Sequence, residues 1–96
     1  MRQWFVYILA SQKNGTIYVG VTNSLARRGD EHRATGGPSF TAKYNVNTLV
    51  YYEAYGSPAI AIHREKNLKA WKRLWKLNLI NATNPDWQDL AQELLD

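Results

Sequence analysis

The sequence predicts an α/β domain of the α+β kind: a small three-stranded antiparallel sheet flanked by helices, in the order ββαβααα. Three observations carry this expectation. Two β-rich runs stand either side of an Asn-Gly turn, a third β-rich run follows in mid-chain, and two helical stretches open on turn residues followed by proline.

Residues 4–10 and 16–22 are short runs of aromatic and β-branched residues. Ser11-Gln12-Lys13-Asn14-Gly15 lies between them, and Asn-Gly tolerates the positive φ of a tight hairpin turn. Asn23-Ser24 is a suitable N-cap for a charged helix over residues 25–34, and Thr35-Gly36-Gly37-Pro38-Ser39 breaks it. Residues 48–55 form the third strand by composition. Gly56-Ser57-Pro58 supplies a turn, a cap and a proline at the first helical position, opening a long helical stretch over 58–79. Asn84-Pro85 repeats the device, with Asn84 as cap, before an amphipathic helix over 86–95. No repeat, linker or low-complexity segment divides residues 1–96, so one domain is expected.

Composition narrows the chemistry. Cysteine is absent, which excludes disulfides, thiolate zinc sites and cysteine catalysis, and two histidines are too few for the usual zinc cage. The apolar run at the N-terminus is too short for a membrane span and lacks a cleavable leader pattern, so a soluble cytoplasmic protein is expected. With all 12 basic residues and only four of the 8 acids, residues 1–80 carry +8, while the tail carries −4. A body this basic favours a polyanionic partner, most simply nucleic acid.

Three groups of residues can carry chemistry. Glu65 shares a helix face with Ala61, Ile62 and Leu68, yet has basic sequence neighbours in His63, Arg64, Lys66 and Lys69. A carboxylate in a basic face repels a polyanion unless a divalent cation stands between them. The plain alternative is an ion pair with Lys69 at i+4 or with an arginine elsewhere. Arg28 and His32 lie four residues apart on the charged helix, where a guanidinium fork and an imidazole can meet a phosphate. Gly29 costs that helix about 1 kcal/mol against alanine and leaves its face open; an ordinary solvated face is the alternative. Tyr7 and Tyr18 form the third group. If residues 12–15 make the loop, Tyr7 opposes Gly20 and Tyr18 opposes Leu9. The tyrosines are then diagonal neighbours on one face, and Gly20 leaves room for a ligand or backbone to approach. Phe40 to Tyr44 combines aromatics, a hydroxyl and a lysine that can line a groove or simply pin a loop. Trp71 and Trp75, spaced with Leu68 and Leu79, read as core. Lys66, Lys69, Lys72, Arg73 and Lys76 give a diffuse basic footprint.

Phe5-Val6-Tyr7 followed eleven residues later by the tyrosine of Tyr18-Val19-Gly20 resembles the signature of the GIY-YIG nucleases. An Arg-x-x-x-His pair on the next helix (Arg28, His32) and an Arg-Glu pair on a later one (Arg64-Glu65) fit the same superfamily. Phe40 to Tyr44 and Asn84-Pro85-Asp86-Trp87 make the whole chain similar to its small single-domain bacterial branch. Two positions depart from the pattern: Phe5 stands where the signature has glycine, and Gly29 where relatives commonly carry a larger residue. The resemblance implies a Mg²⁺- or Mn²⁺-dependent endonuclease. Glu65 would hold the one ion. Tyr7 would act as general base or position the attacking water, Tyr18 would orient the nucleophile or phosphate, Arg28 would stabilise the transition state, and His32 would assist proton transfer. Arg27, Lys43, Tyr44, Arg64, Lys66 and Lys69 are the expected nucleic-acid contacts. Larger relatives act in repair, restriction and homing through added recognition modules. A single domain without one is expected to show low sequence specificity on DNA, with RNA also open, or to rely on a protein partner for targeting. The competing readings are a non-catalytic DNA- or RNA-binding module of the same fold and a protein-interaction domain.

Overall fold

The computed structural model describes residues 3–26 and 45–94. Strands β1 (Trp4–Ala10), β2 (Ile17–Thr22) and β3 (Thr48–Tyr55) form one antiparallel sheet in the order β2-β1-β3. β1 is central because both its edges are paired. The hairpin turn works as its residues predict: Asn14 takes φ 60°, the Gly15 N–H donates to the Gln12 carbonyl at 2.9 Å, and Ser11 N–H donates to Thr16 O at 2.9 Å. The β1–β2 register follows from that loop, with Tyr7 opposite Gly20 and Leu9 opposite Tyr18. Between β1 and β3 the pairing slips by one residue: Ile8 opposes Tyr51, but Leu9 opposes Leu49, leaving Val50 as the extra residue of a bulge.

The two sheet faces have separate cores. Val6, Ile8, Ala10, Val19 and Val50 pack against Ala61, Leu68, Ile80 and Trp87 on one side. Tyr7 and Leu9 pack with Leu25, Val46 and Leu49 on the other. The first side is covered by α1 (Pro58–Ala70) and α2 (Arg73–Thr83). Leu68 and Ile80 are fully buried, each contributing on the order of 1.5–3 kcal/mol through apolar burial.

The long helix expected over 58–79 is two helices. Trp71 (φ −63°, ψ 150°) and Lys72 (φ −60°, ψ 146°) are both extended. A single helix over residues 58–83 would run about 39 Å at ~1.5 Å per residue, longer than the 33 Å greatest extent of the fold. It would also turn Ile80 about 120° away from Leu68, at 3.6 residues per turn. The two extended residues reset the phase so that both point into one core. The same reset changes the tryptophans: Trp71 packs on the core, but Trp75 is 51% exposed rather than buried.

The amphipathic helix expected over 86–95 is replaced by an irregular segment and a short 3₁₀-helix, Leu90–Leu94. Trp87 explains this. It is buried with φ 53°, a left-handed conformation no helix interior can use, and its Nε1 donates to Asn81 Oδ1 at 2.6 Å. Asn84 is therefore not a helix N-cap. It ends α2 and is buried, its Nδ2 donating to Val50 O at 3.0 Å and Gln88 O at 2.9 Å while its Oδ1 accepts from Gln88 N–H at 3.0 Å. Asp89 Oδ1 ties the following turn to β3 by accepting from Leu49 N–H at 3.3 Å and Ala91 N–H at 3.1 Å. Among the described residues no helix is long and apolar enough to cross a membrane.

Candidate active site

The tyrosines come from adjacent strands on the face away from α1 and α2. Strand alternation places positions 5, 7 and 9 of β1 and 18 of β2 there. The diagonal register brings the Tyr7 and Tyr18 rings to 6.4 Å between centroids at a tilt of 46°. Tyr7 is buried and Tyr18 half-buried. The Tyr7 ring lies directly across Gly20, where a Cβ would stand 2.5 Å from Tyr7 Cζ and 2.9 Å from Cε2. The space that glycine leaves is taken by Tyr7 itself, not by a ligand or a backbone segment. β2 then ends in a tight turn in which Thr22 Oγ1 accepts from Ser24 N–H and donates to Ser24 O, both at 3.2 Å. Leu25 and Ala26 begin a helical turn directly after it. Arg27, Arg28, His32, Lys43 and Tyr44, together with Gly29, lie outside the described residues.

Glu65 reaches the same region from α1. Its Oε2 lies 3.1 Å from Lys69 Nζ, the i+4 pair that spacing allows, with the carboxylate 14% and the lysine 50% exposed. The Lys69 ammonium also stands 6.0 Å from the centre of the Tyr18 ring. Glu65, Lys69, Tyr18 and Tyr7 thus form an unbroken chain of neighbours running from α1 past the edge strand β2 to β1. Lys66 is exposed on α1.

Glu65 and its neighbour Arg64 are held very differently. Arg64 makes a fork onto Glu53 of β3, Nε to Oε1 and Nη2 to Oε2, each at 2.9 Å. Tyr55 Oη donates to Glu53 Oε1 at 2.6 Å, and Tyr51 Oη donates to Oε2. Arg64 also lies 5.0 Å over the Trp71 ring. Burial would raise the Glu53 pKa, but the hydrogen bonds from Arg64, Tyr51 and Tyr55 outweigh it and hold the carboxyl below its usual range. Burial and the Glu53 carboxylate push both tyrosine hydroxyls up. Hydrogen bonds to charged groups are each worth about 1.5–3 kcal/mol, and Glu53 accepts four of them, whereas Glu65, as little exposed as Glu53, has the one ion pair with Lys69 among the described residues. Arg64 is therefore an anchor that fixes α1 on the sheet, while Glu65 has a single, half-exposed partner to exchange. Sequence reasoning missed Glu53. The signal was present as Tyr51-x-Glu53-x-Tyr55, three polar tips on one strand face.

Comparison with known proteins bears on this arrangement. The GIY-YIG catalytic domain family matches residues 3–78, from β1 into α2 and across Tyr7, Tyr18 and Glu65. The chain belongs to the GIY-YIG family. Relatives of this GIY-YIG domain include a UPF0213 protein of Pseudomonas aeruginosa, 34% identical over 77 residues that cover 80% of this chain and 73% of that one. A UPF0213 protein of Staphylococcus haemolyticus is 32% identical over 80 residues, covering 83% and 96%. The solution NMR structure of the UPF0213 protein BH0048 from Bacillus halodurans has the same fold, with TM-score 0.56, 28% identity and coverage of 91% and 92%. These small UPF0213 relatives are the bacterial single-domain branch that the sequence resembles. Membership of the GIY-YIG family gives a nuclease-like function in general terms, with nucleic acid as partner and divalent metal as the usual cofactor class.

Proposed function

We propose that this GIY-YIG domain is a divalent-metal-dependent endonuclease that hydrolyses DNA phosphodiester bonds with low intrinsic sequence specificity. The reading rests on one observation above the others: a carboxylate on α1 with a single ion-pair partner among the described residues adjoins the paired tyrosines of β1 and β2 through that lysine.

The donor set suits Mg²⁺ or Mn²⁺. Mg²⁺ keeps several waters, takes one or two protein carboxylates and completes its shell with phosphate oxygens, so Glu65 alone suffices as the protein ligand. Such an ion, when bound, neutralises charge on the phosphoryl oxygens. Lys69 keeps the carboxylate in place in the free protein and, once released, meets the phosphate backbone. Tyr18, at the half-buried rim, orients the phosphate or the attacking water. Tyr7, fixed by its seat on Gly20, holds the in-line geometry and accepts or relays the proton from that water. Arg28 offsets charge on the transition state and His32 assists proton transfer, as the family pattern assigns them. Lys66, Lys69, Arg27, Lys43 and Tyr44 contact the nucleic acid. Arg64 serves the nucleic acid indirectly by holding α1 in place.

The test is cleavage of supercoiled plasmid and branched DNA with Mg²⁺, Mn²⁺ or chelator, alongside Glu65→Ala. The expected result is metal-dependent nicking that falls by at least about 10²-fold in the variant, the scale of losing a group that stabilises transition-state charge. Binding by both proteins without any cleavage would instead establish a non-catalytic nucleic-acid-binding module, in which the Glu65–Lys69 pair is simply structural. Equal cleavage by both proteins would remove Glu65 from the site.

A further inference from the structure

We infer that the tip of the β1–β2 hairpin carries a second nucleic-acid subsite, which takes the sugar-phosphate backbone of an unpaired strand while a base of that strand stacks on Trp75. The inference rests on the nuclease reading and extends it from the scissile bond to the strand beside it.

A cleft of about 530 Å³ separates the hairpin tip from α2, lined by Asn14, Gly15, Thr16, Ile17, Arg73 and Lys76. Two of the six lining residues are cations and none is an acid. Arg73 is fixed in the wall, its Nη2 donating to Asn14 O at 2.9 Å and Gly15 O at 2.6 Å. Its Nε and Nη1 make no protein hydrogen bond among the described residues, so the guanidinium still has donors for an anion. Lys76 is half-buried in the same wall and has no carboxylate partner among the described residues. Two cations in one concave wall without an acid beside them favour an anion there.

The cleft reaches to within one residue of the candidate active site along the edge strand. Thr16 and Ile17 line it, and the next residue along the edge strand is Tyr18, which Lys69 approaches at 6.0 Å. Lys69, Arg73 and Lys76 therefore flank one short stretch of β2, as phosphate-binding groups along a strand path would. On the same turn of α2 as Arg73 and Lys76, the Trp75 indole is 51% exposed, with Lys72 Nζ 5.5 Å over its ring and Trp71 buttressing its edge at 6.2 Å. An exposed indole set among cations is the combination that single-strand binders use, since every base offers a face to stack and every nucleotide a phosphate. A purely apolar protein partner would gain nothing from the surrounding charge, and a fully paired duplex has no free base face to offer.

The experiment is fluorescence anisotropy of the full chain with a labelled single strand and the matching duplex, in chelator so that no cleavage intrudes. Wild type is compared with Trp75→Ala and Lys76→Ala, and circular dichroism melts verify that both variants stay folded. Each substitution is expected to weaken single-strand binding about tenfold and to affect the duplex less. Lys76→Ala should also flatten the slope of log affinity against log salt by about 0.7. Quenching of tryptophan fluorescence by the strand should fall in Trp75→Ala. Unchanged affinity and salt slope in both variants would overturn the inference, as would absence of strand binding by wild type. Equal losses on strand and duplex would overturn the unpaired-strand assignment. Failure of the nuclease reading looks different: strand binding that depends on Trp75 and Lys76, with no cleavage under any metal, removes the enzyme and leaves the subsite.

Discussion

Substituting Gly20 by alanine tests the packing that seats Tyr7. A Cβ at position 20 would lie 2.5 Å from Tyr7 Cζ and 2.9 Å from Cε2, against about 3.5–4.0 Å for a comfortable carbon contact. The ring would have to retreat by about 1 Å. Tyr7 is only 1% exposed and shares its cluster with Leu9, Leu25, Val46 and Leu49, so that movement is resisted. Overpacking of this kind costs about 1–3 kcal/mol, while alanine in a strand interior gains about 0.5–1 kcal/mol over glycine. The net expectation is a loss of up to about 2.5 kcal/mol. If the ring is the cause, the sign should reverse once the ring is gone: Gly20→Ala in a Tyr7→Leu background should be neutral or stabilising by up to about 1 kcal/mol. Urea unfolding of wild type, both single variants and the double variant gives the coupling energy. An equal cost of Gly20→Ala in both backgrounds, or no cost in either, would refute the reasoning.

Two further predictions concern the supports of the site. Glu53→Gln should lower stability at neutral pH by about 1.5–3 kcal/mol by weakening the Arg64 fork. Because the folded Glu53 pKa lies below its usual value of 4.5, its contribution is complete above that value and drains away as pH falls through the folded pKa. Wild type should therefore lose stability on acidification more steeply than the variant, and parallel acid profiles from chemical unfolding would refute the assignment. Asn84→Ala removes three hydrogen bonds and leaves the Val50 carbonyl without its side-chain donor. A loss of about 1–3 kcal/mol is expected, with faster hydrogen exchange at the Gln88 amide; an unchanged Gln88 rate would count against that role.

Local chemistry made the hairpin legible. Asn14-Gly15 set the loop, the period of two set the faces, and together they give the observed register of Tyr7, Tyr18 and Gly20. The Thr48–Tyr55 strand was legible from composition in the same way. The break at Trp71 and Lys72 was not, because neither residue is a helix breaker and its cause is tertiary: two apolar faces must reach one core. Trp75 was misplaced as core for the same reason, since the phase of α2 does not continue that of α1. Trp87 overrode the cap-and-proline signal at Asn84-Pro85 by burying its ring in a left-handed conformation. At the candidate site, the Glu65–Lys69 pair was available from i+4 spacing. The Glu53–Arg64 anchor was not, because its partners lie on different elements.

The bulge at Val50 governs where the carboxylate on α1 points. Up to Val50 the even-numbered residues of β3 face the helices, and from Tyr51 onward the odd-numbered ones do, because Val50 and Tyr51 both point that way. Glu53 meets Arg64 only by virtue of that change of parity. With the same residues paired uniformly from the C-terminal end of β3, Leu49 would turn to the helices while Thr48 and Val50 left them, and each core would lose an apolar side chain. Uniform from its N-terminal end, Tyr52 and Ala54 would face α1, and Arg64 would have no acid to grip. A single inserted residue thus sets the azimuth of Glu65, and Asn84, bonded to the Val50 carbonyl, is the pin that keeps the count.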